Sequence, residues 1–295
     1  KTETVDISSL LISLNNLALE GQANIRNYST DLSVNSKINI PEFSLKTFLS
    51  NLSIALPEMQ NKGALEKVGL SSTISLEKNT LQLSAIKINL DKSEWNGEVT
   101  HVMDTAASKV RIKGDKINLD DYLPPASDAK ESDEDSEATK AETVQTETDK
   151  PLLPIETIQN LNLDIELKQD SIKAKNIETN NVVVALVAKD GKLTQTLNGQ
   201  LFDGNYSSKS TINVQQKIPL WASEQSINDV NLAPLFDTLN IDALKEYGSI
   251  SGLLNLTAKT NMTGNEVSKL KASATSNVDF NISNGAFEGL SLNAL

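Results

Sequence analysis

Apolar and polar side chains alternate with a period of two along most of this 295-residue chain. Leu161, Leu163, Ile165 and Leu167 interleave with Asn162, Asp164 and Glu166. Leu81 and Leu83 begin another run, which Ile86, Ile88 and Leu90 continue around Lys87 and Asn89. Val110 and Ile112 precede Ile117 and Leu119, and Ala272, Ala274, Val278, Phe280 and Ile282 keep one parity near the end. Each run puts apolar side chains on one face of a strand and polar ones on the other. The parity slips between Leu83 and Ile86, which predicts a β-bulge or break there.

Turn dipeptides separate the runs: Lys78-Asn79, Asn96-Gly97, Gly114-Asp115, Asp190-Gly191, Asp203-Gly204, Thr263-Gly264 and Asn284-Gly285. Several suit tight hairpins because Asn, Asp and Gly tolerate positive φ, and together they predict an antiparallel meander. Helical spacing is scarce. Residues 41–56 carry Phe43, Leu45, Phe48, Leu49 and Leu52, and residues 234–247 place Leu235, Leu239 and Leu244 between Pro234 and Gly248. Both read as short helices packed at a sheet end.

The run from Ala126 to Lys150 breaks the pattern. Residues 126–149 hold nine acids (Asp128, Glu131, Asp133, Glu134, Asp135, Glu137, Glu142, Glu147, Asp149) against Lys130 and Lys140, a net of −7. So polar a segment buries too little surface to offset chain entropy and is expected to be a disordered acidic linker over 126–150. It separates an N-terminal β segment (1–125) from a C-terminal one (151–295).

Composition narrows the chemistry. Hydrophobic residues make up 38% and aromatics 4%. Any core is therefore built from Leu, Ile, Val and Ala, and suits a sheet with one apolar face better than a thick multilayer. The net charge of −12 argues against a nucleic-acid partner. With no cysteine and His101 as the one histidine, disulfides, thiolate chemistry and multi-histidine metal sites are excluded. Asp120-Asp121 lacks the oxygen-ligand spacing of a calcium loop. No cofactor, metal or catalytic residue is indicated, and no enzyme is expected. Trp95 and Trp221 are read as edge or hairpin anchors in preference to membrane-interface residues. No run reaches the roughly 20 apolar residues of a membrane span, and the opening at Lys1 marks the chain as part of a longer protein. Alternation alone leaves two ways to cover an apolar face: a closed sandwich, or an open groove that takes acyl chains.

Five segments, in order, carry a resemblance. Leu90-Asp91-Lys92-Ser93-Glu94-Trp95-Asn96-Gly97 looks like a hairpin, and Lys113-Gly114-Asp115-Lys116-Ile117-Asn118-Leu119-Asp120-Asp121-Tyr122-Leu123-Pro124 precedes the acidic run. After it come Leu201-Phe202-Asp203-Gly204-Asn205-Tyr206, the strand from Gly248 to Leu256, and Asn284-Gly285-Ala286-Phe287-Glu288-Gly289-Leu290. Residues 81–295 so read resemble the AsmA family of Gram-negative envelope proteins. Phe202 stands where tyrosine is common in that family.

The resemblance implies a long curled sheet with a concave apolar face, as in bridge-type lipid-transfer proteins. It also implies a periplasmic position, with an inner-membrane anchor outside this chain. The expected fold is mainly β, a curled, taco-like antiparallel sheet with few short helices. The expected function is non-enzymatic phospholipid transport between inner and outer membranes, supporting outer-membrane assembly and integrity. The alternative is a structural or chaperone-like factor that pairs strands with outer-membrane protein precursors. Candidate groove residues are Leu81, Leu83, Ile86, Ile88, Leu90, Leu163, Ile165, Leu167, Ile212, Val214, Leu254, Leu256, Val278, Phe280 and Ile282.

Overall fold

The computed structural model describes residues 3–125, 150–175, 177–239 and 249–288. Fourteen strands follow one another in a single sheet whose spatial order is the chain order. They are β1 (Thr4–Leu14), β2 (Leu17–Arg26), β3 (Ser33–Phe43), β4 (Val68–Glu77), β5 (Thr80–Leu90), β6 (Ser93–Val102) and β7 (Ala107–Asn118). Then come β8 (Leu163–Ala174), β9 (Ile177–Lys189), β10 (Lys192–Leu201), β11 (Gly204–Asn213), β12 (Leu220–Asn231), β13 (Ser249–Thr263) and β14 (Thr275–Glu288). The sheet does not close: β1 and β14 are its edges. Of the two coverings that alternation leaves open, the described strands do not take the sandwich of two sheets; they form one continuous open sheet, as expected.

Two-residue hairpins at Lys78-Asn79, Asp190-Gly191 and Phe202-Asp203 have positive φ at both central residues. That turn geometry matches the twist of the flanking strands. Three other expected turns, Asn96-Gly97, Gly114-Asp115 and Asn284-Gly285, are continuous strand. Gly97 lies inside β6 because a Cβ there would meet the Arg111 carbonyl oxygen at 2.5 Å. Gly114 lies inside β7 for a similar reason of close approach, described below. The bulge expected near Leu83 is present: pairing with β6 shifts between Leu83 and Ile86, and Ala85 has φ 49°.

The antiparallel expectation needs one correction. β7 and β8 pair in parallel, with Val110 facing Ile165 and Ile112 facing Leu167. Parallel neighbours require a crossover longer than a hairpin, and the chain between β7 and β8 includes the acidic run. The linker expected over 126–150 falls almost wholly outside the described residues. On the face opposite the apolar one, ion pairs flank this seam: Arg111 to Asp164 at 2.6 Å and Lys113 to Asp170 at 3.5 Å.

Among the described residues, four short α-helices sit at the strand ends: α1 (Leu45–Asn51), α2 (Ile155–Gln159), α3 (Leu232–Leu239) and α4 (Val267–Ser273). β3 runs on to Phe43 before Ser44 caps α1 by accepting from the Thr47 N–H at 3.1 Å. α3 starts two residues before Pro234, where Asn231 accepts from the Ala233 N–H; the part expected beyond residue 239 lies outside the described residues. α4 corrects the strand reading of Ala272. Only eight hydrophobic residues of the described chain are buried or nearly so, among them Val182, Ala188 and Val230. So small a core cannot cover a sheet of this size, and its apolar face stays largely open.

Candidate functional site

Residues that face each other across neighbouring strands project from the same side of a sheet. One such row passes from Val5 through Ile25, Val34, Leu76 and Leu81 to His101 and Ser108. It continues through Leu163, Ala188, Leu193, Ile212 and Trp221 to Met262. The next row runs through Ile7, Ala23, Ser36, Ile74, Leu83, Val99, Val110, Ile165 and Leu186, then becomes polar at Gln195, Ser210, Ser223, Thr260 and Ser276. One face is thus apolar from β1 to β9. From β10 onward its apolar side chains flank a strip of hydroxyls and an amide.

Fourteen of the fifteen expected groove residues stand on strands with this parity, and Val214 falls just past the end of one. Leu81, Leu83, Ile86, Ile88 and Leu90 stand on β5, and Leu163, Ile165 and Leu167 on β8. Ile212 is the last but one residue of β11, while Leu254 and Leu256 on β13 face Ile282 and Phe280 on β14, with Val278 beyond. Their exposure varies. Phe280 is 71% exposed, and Leu167 37%, whereas Ile86 is nearly buried and Val214, just past β11, is wholly buried. Val214 belongs to the packing at the strand end, where its carbonyl accepts from the Gln159 amide. Side chains of β1 to β4, β7 and β9 share the face and were missed. For β1 the signal was present, since Val5 and Ile7 alternate before a register shift puts Leu10, Ile12 and Leu14 on the same side.

The apolar face ends near Leu90. There, Trp95 on β6 donates its indole N–H to Gln169 on β8 at 2.8 Å. The Gln169 amide donates to the Asp115 carbonyl at 2.7 Å, and Ser93 donates to the Lys116 carbonyl at 2.7 Å. Beyond this network the same parity carries Lys116, Asn118, Ser171, Lys173 and Glu178. A polar cavity of about 610 Å³ opens there, roofed by residues 61–67 and by the turn at Leu119–Tyr122.

Asp91 holds that roof. Its carboxylate accepts from the backbone N–H groups of Leu65, Glu66 and Lys67 at 2.8 to 3.1 Å and from the Tyr122 hydroxyl at 3.0 Å. Burial, reinforced by the adjoining Asp91, pushes the Tyr122 hydroxyl well above its ordinary pKa. Asp120 accepts from the Lys175 N–H and Asp121 from the Asn118 amide, so both carboxylates serve as local braces. At the opposite strand ends, the Trp221 indole donates to the Gly264 carbonyl at 2.9 Å. Both tryptophans are hydrogen-bonded anchors, but Trp95 stands in the middle of the sheet and not at its edge. His101 lies on the apolar face, its Nδ1 2.8 Å from the Ser108 hydroxyl. Among the described residues no helix is long and apolar enough to cross a membrane.

The model of the AsmA family matches residues 2–295, extending the resemblance back through β1 to β4. No curated protein and no solved structure matches the chain.

Proposed function

The chain belongs to the AsmA family, and on that premise we propose that it conducts phospholipid between the inner and outer membranes without catalysing a reaction. The observation that carries this reading is the shared parity of fourteen strands, which gives one long face with exposed and half-exposed side chains, apolar across β1 to β9 and apolar on either side of a polar strip beyond. Acyl chains laid on such a face gain about 0.8 kcal/mol for each methylene buried. Ten methylenes therefore contribute about 8 kcal/mol before the cost of ordering the chain. The reading puts the protein in the periplasm, tethered to the inner membrane, where it supports outer-membrane assembly.

Native mass spectrometry of the purified protein, followed by lipid extraction, tests this. Co-purifying phospholipid is expected, and its loss in the double variant Leu163→Asp/Leu167→Asp with an unchanged circular dichroism spectrum. A folded wild type free of lipid, or a variant with a full lipid complement, overturns it.

The unpaired edges favour a second reading. β1 is exposed at all eleven residues and β14 over most of its length, so either edge offers a template for strand addition by outer-membrane protein precursors. Proline substitutions along β14 would then abolish partner capture and leave lipid loading intact.

A further inference from the structure

We propose that the cavity at the Leu90 end of the sheet is a site for a phosphate-bearing headgroup, an inference that rests on the acyl-chain reading of the apolar face. Position is the first argument. The face changes from apolar to polar at the level of Gly114 and Gln169. A lipid whose chains follow the apolar rows toward Leu90 brings its polar end to this cavity. Its volume, about 610 Å³, lies within the range of small-molecule sites.

Charge is the second argument. Four lysines line the cavity: Lys67, Lys92, Lys116 and Lys173. None forms an ion pair with another described residue. Four lining acids, Glu66, Asp91, Asp121 and Glu178, match the lysines in formal charge, but three of them turn their oxygens to neutral local donors and away from the ammonium groups. Asp91 holds three backbone N–H groups and Tyr122, Asp121 accepts from Asn118, and Glu178 accepts from the Ser171 hydroxyl at 2.8 Å. The ammonium groups remain to meet an anion, and ammonium is a good partner for phosphate oxygens. The roof is held in place without a ligand, because the Gln60 and Asn61 N–H groups donate to the carbonyls of Leu123 and Asp121. A pre-formed cavity lowers the ordering cost of binding.

The phosphate could belong to a lipid or be free, and the test separates the two. Binding of dioctanoyl phosphatidylglycerol, dioctanoylglycerol and inorganic phosphate to the full chain is measured by titration calorimetry. The wild type is expected to prefer the phospholipid over the diacylglycerol by about tenfold, the worth of one or two charge-assisted contacts. Lys116→Ala/Lys173→Ala is expected to erase that preference and leave diacylglycerol binding unchanged. Lys189→Ala/Lys192→Ala, on the opposite face, is expected to change neither. Should the first variant lose its fold, Lys67→Ala/Lys92→Ala, in the roof and a hairpin turn, carries the same expectation. Equal binding of the two lipids by the wild type overturns the headgroup site and leaves the apolar-face reading standing. A lysine-dependent phosphate signal with no lipid preference overturns it in favour of a free-phosphate site. If neither lipid binds, the apolar-face reading fails, and this inference with it.

Discussion

The Trp95 indole reaches over an intervening strand to Gln169, its N–H 2.8 Å from the amide oxygen. β7 lies between the two, and Gly114 is the residue beneath the contact. A Cβ at position 114 would stand 2.1 Å from the Gln169 oxygen and 2.3 Å from the indole nitrogen. The absence of a side chain there is what lets three strands lock together where the apolar face stops.

Gly114→Ala is therefore expected to push both side chains aside and break the contact. Two partly buried polar groups lose their partners, so the cost should be about 2 kcal/mol or more. Urea unfolding followed by tryptophan fluorescence measures it, and the native emission should move to the red as Trp95 becomes wetter. An unchanged midpoint would show that the network carries no stability.

Asp91→Ala removes the acceptor for three backbone N–H groups and for Tyr122. We expect a loss of about 2 kcal/mol. Hydrogen exchange should quicken at Leu65, Glu66 and Lys67 while the centre of the sheet stays protected. Uniform deprotection would instead mean that this roof is inseparable from the global fold.

Tyr122 gives a pH signature. Its folded pKa is raised by burial and by Asp91, so the folded state keeps the proton that the unfolded chain releases near pH 10. The stability this contributes is complete below about pH 10 and declines as pH rises toward the folded value. The stability gap between wild type and Tyr122→Phe should hold up to about pH 10 and narrow above it, followed by thermal melts. A gap that widens would reverse the sign.

The Arg111 hydrogen bond holds the Asp164 carboxyl below its usual value. Both side chains are partly exposed, at 28% and 49%, so screening limits the pair to about 0.5 kcal/mol. That stability is present above the unfolded pKa near 4 and is lost as pH falls through the folded value. Asp164→Asn should be less stable than wild type at neutral pH and equal to it at about pH 2. Denaturant midpoints at the two pH values test this.

Much of the architecture could be read along the chain because alternation is local, and hairpins transmit parity from strand to strand. The slip at Leu83 and Ile86 was legible for the same reason: one extra residue flips the pattern. The β7–β8 pairing was not, since nothing local fixes which strand returns beside β7 after the acidic run, or in which direction. Gly97 and Gly114 misled because glycine serves close approach as well as turning, and only the neighbouring strand distinguishes the two. The helix at Val267–Ser273 is only seven residues long, too short to set up a helical apolar stripe, so Ala272 fitted a strand parity by coincidence. The polar cavity was invisible because its lining comes from segments as distant as Asn61 and Glu178, joined only by the register of five strands.

The parallel seam has a consequence for symmetry. In an antiparallel meander of fourteen strands, the first and last would point in opposite directions. One parallel step cancels that, so β1 and β14 run the same way. Bending the sheet until these edges met would create a second parallel joint, the weaker kind of pairing. Copies laid side by side by translation would likewise meet β14 to β1 in parallel. Two copies related by a twofold axis would instead join like edge to like edge in antiparallel fashion, with both apolar faces on one side. The direction of one crossover thus makes a twofold edge-to-edge meeting the antiparallel one, and ring closure or translational stacking the parallel one.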